Sequence, residues 1–196
     1  MSEREVLTKT VNLHLIYSKR MITNNKGVSL QKCAMQLGTY MGIYWIAKFF
    51  LIPLGFTYQF LFFLFAGLTI AVPFMGYYYV RIFRDKICGG KIKFLQAWAF
   101  MIFMYMFAAL LTAVAHYVYF RYIDNGFILN SYVEILDNNL SNIPGLEGYF
   151  AQVKESVEYM RSMTPIELTM QLMSQNVFYC GILAFITALF VKRTTV

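Results

Sequence analysis

Charged residues are scarce in this sequence, and the shortage excludes an ordinary soluble domain. Only 14% of the residues are charged and 59% are hydrophobic, whereas a typical soluble domain carries about 25% charged residues. Cysteine is scarce as well, with Cys33, Cys88 and Cys180 too far apart for a CxxC motif or a metal-ligand spacing. We therefore expect no structural disulfide, no bound metal and no cofactor.

Catalytic motifs are missing too. The sequence contains no HExxH helix, nucleophile elbow, GxGxxG turn or Walker loop. None of its Asp or Glu residues falls at the middle of an apolar run, where an ion-coupled or proton-coupled transporter usually keeps one. These absences predict that the protein is not an enzyme, and they count against a coupled transporter.

Four long apolar runs dominate what is present, each close to the roughly 20 residues that a helix needs to cross a bilayer. The sequence therefore predicts an all-α, polytopic membrane protein with four transmembrane helices. The helices are placed at residues 33–52, 58–80, 94–120 and 173–191. Pro53-Leu54-Gly55 is expected to end the first helix in a tight turn. Pro73 is expected to kink the second, because its ring removes one backbone hydrogen bond.

Lys and Arg residues near the ends of the spans indicate the orientation, because cytoplasmic segments carry most of them. Six lie in a basic tail at residues 1–32, five in the loop between the second and third spans, and two after the fourth span. The turn after the first span has none, and the long segment after the third has three. Both ends of the membrane domain at residues 33–194 are therefore predicted to be cytoplasmic, and the net charge of +7 needs no nucleic-acid partner.

Residues 121–172 are predicted to form a periplasmic helical segment between the third and fourth spans. Apolar residues recur at helical spacing on either side of Pro144-Gly145, which predicts two short amphipathic helices with a turn between them. Thr164-Pro165-Ile166-Glu167 is typical of a helix start, since Thr can cap, Pro suits the first turn and Glu can complete a capping box. The helix that begins there should run unbroken into the fourth span.

Small residues in the spans mark places where membrane helices can pack closely. The candidate packing residues are Gly38, Gly42, Ala109, Ala113, Gly181, Ala184 and Ala188. The GxxxG pair of the first span could form a dimer face or a contact within the four-helix bundle. We favour the contact within the bundle, because the other spans carry small-residue faces of their own.

Lys48 is the one Lys or Arg well inside an apolar run, and an intramembrane charge indicates a functional site by default. It lies about five residues before Pro53, so its long side chain could instead reach the membrane surface. Gln36, Tyr40 and Tyr44 precede it at four-residue steps and give the first span a polar stripe. We expect this stripe to face the bundle interior or a partner rather than lipid.

Three more polar residues lie near the predicted outer end of the third span, namely His116, Arg121 and Asp124. His116 could carry a proton, or it could be a hydrogen-bonded packing residue. Together with Lys48, the three could form an outer-face polar cluster. The sequence offers no second His or buried acid that would complete a metal site or a proton relay.

The order of these features resembles a known family. The basic loop ends in GGKIKFLQA at residues 89–97, the third span ends in YFRYID at 119–124, and the fourth ends in FVKR at 190–193. Residues 30–194 thus resemble the bacterial membrane family catalogued as domain of unknown function 4199, most specifically through the Gly-Gly-x-Ile-x-Phe-x-x-Ala segment. The long polar tail, Cys88 and Trp98 depart from the family pattern.

The resemblance implies a four-span inner-membrane protein of Gram-negative bacteria, and it brings no established activity or functional residues. The resemblance also implies an accessory role in assembling envelope glycans from lipid-linked sugars, which we use only to choose between otherwise equal hypotheses. Our leading hypothesis is a non-enzymatic accessory or scaffold subunit that binds another envelope component, either a membrane-protein partner or a further copy of the chain. The alternatives are a small oligomeric transporter or channel and a lipid-handling membrane enzyme.

Overall fold

The computed structural model describes residues 30–140 and 147–193. In this part of the chain the helices are α1 (Leu30–Thr57), α2 (Phe60–Ile82), α3 (Phe94–Tyr122), α4 (Phe127–Ile135), α5 (Glu147–Ser162) and α6 (Pro165–Val191). A π-helical turn follows α2 at Phe83–Ile87, and another follows α4 at Leu136–Leu140. The predictions for Pro144-Gly145 and for residues 1–29 of the basic tail fall outside the described ranges.

Four of these helices confirm the predicted all-α membrane fold. α1, α2 with its π-helical turn, α3 and α6 contain 28, 28, 29 and 27 residues and are apolar enough to cross a membrane. At 1.5 Å per residue each is about 40 Å long, which exceeds the hydrocarbon core of about 30 Å. α1 extends past its predicted span at both ends and α2 runs on past residue 80, whereas α3 begins at the predicted Phe94 and α6 ends at the predicted Val191. α2 continues on both sides of Pro73, and the kink expected there stays a prediction.

The predicted capping box at the start of α6 is present. The Thr164 N–H donates to Oε2 of Glu167 at 2.8 Å, and the Glu167 N–H donates to Oγ1 of Thr164 at 3.4 Å. Pro165 occupies the first turn, where its missing N–H leaves no hydrogen bond unmade. As expected, the helix then runs unbroken into the fourth span.

The predicted end of the first helix at Pro53-Leu54-Gly55 is wrong. α1 is interrupted only at Phe50 and continues as a helix over Leu51–Thr57. Pro53 lies in the first turn of that continuation, where backbone N–H groups depend least on helical partners. The chain turns instead at residues 58–59.

α3 packs closely against α1 in the middle of the bundle. A Cβ added at Gly38 would lie 2.6 Å from the carbonyl oxygen of Met104, and one added at Gly42 would lie 3.2 Å from that of Ala108. Only small residues let two helix backbones come this near. The GxxxG pair therefore lies in a contact within the bundle, on a face that α3 occupies.

α6 lies along another side of α3. A Cβ added at Gly181 of α6 would make ordinary contact with Cδ1 of Ile102 on α3, at 3.7 Å. The alanines expected to pack these two helices are all buried, namely Ala109, Ala113, Ala184 and Ala188. α3 therefore lies between α1 and α6 and forms the centre of the bundle.

The ends of α2, α3 and α6 meet at what we call the loop end of the bundle, where residues 83–93 join α2 to α3. Gly89 and Gly90 have φ angles of +65° and +82°, a conformation that glycine adopts without steric cost. Ile92 is buried and exchanges two backbone hydrogen bonds with Arg193, of 3.2 and 3.1 Å. The segment that carries the family resemblance thus turns the chain and ties it to the end of α6.

α4 and α5 lie at the opposite end of the bundle, which we call the cap end. They confirm the helices predicted between the third and fourth spans. Lys154 Nζ on α5 lies 2.8 Å from Oδ1 of Asp137, in the π-helical turn after α4. Arg161 on α5 donates to Oδ1 of Asn130 on α4 at 2.6 Å. Polar contacts therefore join the two cap helices.

Tyr105 provides a test of how tightly α2 packs on α3. Its side chain is buried, its hydroxyl has no hydrogen-bond partner among the described residues, and a Cβ added at Gly76 on α2 would run into that hydroxyl. We expect Gly76→Ala to lower the free energy of unfolding by about 1–3 kcal/mol through overpacking. Tyr105→Phe should be neutral or stabilising, because it removes a buried hydroxyl that has no partner. In the double variant, Tyr105→Phe should also restore most of the stability that Gly76→Ala removes.

Thermal unfolding of the variants in one detergent measures these differences. Gly67→Ala is the control, because a Cβ added there meets nothing within 4 Å. Equal losses in Gly76→Ala and in the double variant would contradict the contact between Gly76 and the Tyr105 hydroxyl.

Candidate functional site

Lys48 lies deeper in the bundle than the sequence predicted. α1 ends at Thr57 rather than near Pro53, which places Lys48 about 13 Å from the end of its helix at 1.5 Å per residue. Its Nζ atom lies 5.1 Å from the centroid of the Phe65 ring on α2, and the side chain is half-buried. The ammonium group is therefore held between α1 and α2, over an aromatic face that attracts cations.

Lys48 has no acidic partner in the described part of the chain. The ion pairs there are Arg84–Asp85, Lys154–Asp137 and Arg161–Glu158. The groups within electrostatic range of the Lys48 charge include His116 on α3 and Cys180 on α6, and neither supplies a carboxylate. An unpaired intramembrane cation is costly, which is why such residues so often mark a site that another molecule completes.

The polar stripe of α1 divides between two surroundings. The Tyr44 hydroxyl donates to the carbonyl oxygen of Leu68 on α2 at 2.7 Å, and Lys48 follows it on the same side. Tyr40 is 54% exposed, and Gln36 is exposed as well. Tyr44 and Lys48 therefore lie against α2, whereas the partner expected for Tyr40 and Gln36 stays a prediction.

His116 is surrounded by aromatic rings. It is 6% exposed, and its ring centroid lies 4.2 Å from that of Phe49 on α1 and 6.2 Å from that of Phe120. No hydrogen bond to another described residue accompanies these contacts. In this arrangement His116 packs α1 against α3, near Lys48.

The remaining two members of the predicted outer-face polar cluster have different positions. Asp124 is buried just before α4, and its carboxylate accepts hydrogen bonds from the N–H groups of Gly126 at 3.0 Å and Ile128 at 3.1 Å, which stabilise the start of that helix. Arg121 is exposed and takes part in none of the ion pairs of the described residues. The structure thus packs His116 against Phe49, the neighbour of Lys48 along α1, and gives Asp124 a structural role at the cap end.

Sequence reasoning missed two features of the membrane-spanning part. Trp45 and Tyr105 stack with their ring centroids 6.1 Å apart, and the polar atom of each ring system is buried without a partner among the described residues. Gly67 on α2 is the second, since a Cβ added there meets nothing within 4 Å. The GxxxG spacing marks Gly38 as a packing position, but no sequence signal shows that Gly67 lacks a neighbour, because that depends on where the other helices lie.

The unpaired charge of Lys48 gives a stability prediction. Lys48→Met keeps a long flexible side chain and removes the cation, so we expect the free energy of unfolding in a lipid nanodisc to rise by about 1–2 kcal/mol. This is below the roughly 2.5–3.5 kcal/mol for a lysine at the centre of a lone membrane helix, because Lys48 is off-centre and contacts Phe65. Thermal unfolding measures the change, with the exposed loop variant Lys91→Met as a control expected within about 0.5 kcal/mol of the parent. A loss of stability in Lys48→Met would mean that an acidic group pairs with Lys48 in the membrane.

Comparison with known proteins identifies the family of the chain. The model of the family described as Protein of unknown function (DUF4199) matches residues 36–193. The match covers most of the chain, so the chain belongs to this family, and the resemblance drawn from the segment at residues 89–97 is confirmed. No curated protein and no solved structure matches the chain.

Proposed function

We propose that this member of the DUF4199 family is a non-enzymatic accessory subunit that binds another membrane protein of the envelope through α2. The observation that carries the proposal is Gly67. It is a small residue on a membrane helix at which an added Cβ would meet no other described part of the chain within 4 Å.

The glycines of the four membrane helices provide the comparison. They are Gly38, Gly42, Gly55, Gly67, Gly76 and Gly181. At every one except Gly67, an added Cβ would touch a side chain or backbone atom of another segment within 4 Å. Because membrane helices associate where small residues let them approach, Gly67 marks an approach surface that remains available to a second protein.

Bulky, exposed side chains surround Gly67 on this surface. Phe63, Ile70 and Phe74 lie on the same helical face and are 82%, 67% and 70% exposed. The glycine therefore forms a notch between bulky side chains, into which the ridge of another helix can pack. α2 is also the least covered of the four, with 11% of its most apolar window buried.

The packing of the bundle centre favours this proposal over a channel. Phe100, Met101 and Met104 of α3 are 0% exposed and Tyr105 is 1% exposed, so side chains fill the place where a conduction path would run. The GxxxG face, through which an oligomeric channel could assemble, is in contact with α3. The outer-face polar cluster on which a lipid-handling enzyme would depend is divided, because Arg121 is exposed and Asp124 accepts hydrogen bonds from the N–H groups of Gly126 and Ile128.

A capture experiment tests the proposed partner. Full-length protein with an affinity tag is purified from its native membranes in a mild detergent, and bound proteins are quantified by mass spectrometry. Gly67→Leu fills the notch, so we expect it to lower recovery of a stoichiometric partner at least about tenfold, equivalent to about 1.4 kcal/mol of binding. Its thermal stability should stay unchanged, because the side chain points away from the bundle.

Ala47→Leu is the matched control for this test. Ala47 is a small exposed residue on α1, at a similar depth because the Tyr44–Leu68 hydrogen bond aligns the two helices there. The Ala47→Leu variant should therefore retain the partner. A monodisperse protein without any partner, or equal recovery with both variants, would refute the proposal. Loss of a self-association instead would identify the partner as a second copy.

We also infer that the loop end faces the cytoplasm of a bacterial cell and that the cap end faces the periplasm. The inference is supported by the Lys and Arg counts, since the loop between α2 and α3 carries five such residues. In a variant with its native cysteines replaced by serine, Glu155→Cys should react with a membrane-impermeant maleimide on spheroplasts, and Lys91→Cys should react only after lysis. The reverse labelling pattern would show that the loop end faces the periplasm and would contradict the inferred orientation.

A further inference from the structure

A groove at the cap end has two chemically different walls. It has a volume of about 340 Å³ and lies between the α1–α2 turn and α4. One wall is aromatic, with Phe56, Phe62 and Phe127, and the other is polar, with Ser131, Glu134 and Asn138. We call it the cap groove. It is large enough for a headgroup-sized ligand, since small-molecule sites begin near 300 Å³.

The aromatic wall is held in place by contacts within the chain. The ring of Phe56 meets those of Phe62 and Phe127 edge to face, with centroids 5.4 and 5.9 Å apart. Gly55 lets Phe62 come close, because a Cβ added there would lie 2.9 Å from the Phe62 ring. Three helices therefore fix this wall before any ligand arrives.

Glu134 is the one charged residue among the described residues that line the cap groove. It is exposed and takes part in none of the ion pairs of the described residues. Other acids at the cap end have structural partners: Asp124 accepts from the N–H of Ile128, Asp137 pairs with Lys154, Glu158 pairs with Arg161, and Glu167 bonds to Thr164. Glu155 is also unpaired, but it does not line the groove.

The combination of aromatic rings and an unpaired carboxylate favours a cationic ligand. A carboxylate attracts an ammonium group and aromatic rings offer apolar contact, and no Lys or Arg is among the described lining residues to compensate a headgroup with a net negative charge. The groove also lies beside Thr57 and Gln59, at the ends of two membrane-spanning helices. Lipid headgroups are found at this level of a membrane protein.

We propose that the cap groove binds a membrane lipid whose headgroup carries a primary ammonium. The ammonium lies against Glu134, with the Ser131 hydroxyl and the Asn138 amide oxygen accepting hydrogen bonds from it. The aromatic wall contacts the apolar part of the same lipid. This site does not depend on the partner proposed for α2, because it uses neither Gly67 nor the exposed face around it.

The experiment uses full-length protein, stripped of lipid in detergent and titrated with one lipid at a time. Complexes are counted by native mass spectrometry. Phosphatidylethanolamine is the ammonium probe, and phosphatidylglycerol is the control without an ammonium. We expect phosphatidylethanolamine to bind at least about tenfold more tightly, since the loss of a charge-assisted contact weakens binding by about that factor.

Variants assign the binding to the cap groove. Glu134→Gln removes the charge at an exposed position and should weaken phosphatidylethanolamine binding about tenfold, whereas Glu155→Gln should leave it unchanged. Ser131→Phe should also weaken binding, because it fills the groove without altering a charge. Thermal unfolding of each variant checks that the fold is intact.

Three results would overturn the proposal. One is equal binding of the two lipids by the parent protein. Another is phosphatidylethanolamine binding that Glu134→Gln leaves unchanged. The third is free ethanolamine binding as tightly as the lipid, which would mean that the groove recognises a soluble amine rather than a lipid. Expected instead is that free ethanolamine binds far more weakly, because it leaves the aromatic wall uncovered.

Discussion

The close approach of α1 to α3 is the contact on which the arrangement of the other membrane helices depends. In a bilayer, lipid tails surround apolar side chains as well as protein does, so helices associate through tight packing rather than through hydrophobic burial. Gly38 and Gly42 bring the α1 backbone against the carbonyl groups of Met104 and Ala108. With α1 placed there, Phe49 meets His116, and α6 occupies another side of α3. α2 then lies at the edge, joined to α1 by a short turn and exposed along most of its length.

Among the described residues, two cations of the bundle are partly or fully buried, and they are held in different ways. Arg84 at the loop end is 4% exposed, and its guanidinium makes two hydrogen bonds to the adjacent Asp85, of 2.7 and 3.1 Å. Such a bidentate pair satisfies both charge and geometry. Lys48 has only the face of the Phe65 ring. Asp85 therefore compensates the charge of Arg84 where residues 83–93 fold back. The charge of Lys48, inside the membrane, has no acidic partner among the described residues. This contrast makes Lys48 harder to explain as a structural residue than Arg84.

The existence of the four helices could be predicted from the sequence, and so could the start of α3 at Phe94 and both ends of α6, but the ends of α1 could not. Hydropathy detects the hydrocarbon core, whereas a helix ends where its last backbone groups find other partners. Pro53 misled the prediction because proline breaks a helix only when it interrupts an established hydrogen-bond ladder, and here the ladder restarts just before it. That single error placed Lys48 too near the surface. The capping box at Thr164 was predictable because its chemistry is entirely local. Neither Gly67 nor the cap groove could be predicted, since both depend on which neighbours the fold brings close.

α2 carries parts of both proposed binding surfaces, the cap groove and the surface around Gly67. Phe62 forms part of the cap groove, and Gly67 lies about 8 Å further along the same helix at 1.5 Å per residue. A lipid headgroup in the groove and a protein helix on the notch would therefore lie near each other, the lipid at the membrane boundary and the partner within the bilayer. The inner side of α2 is held by Tyr44 and Tyr105, so its orientation is fixed before either arrives. α2 is thus positioned from one side and left uncovered on the other, which is what the proposed contact with a partner requires.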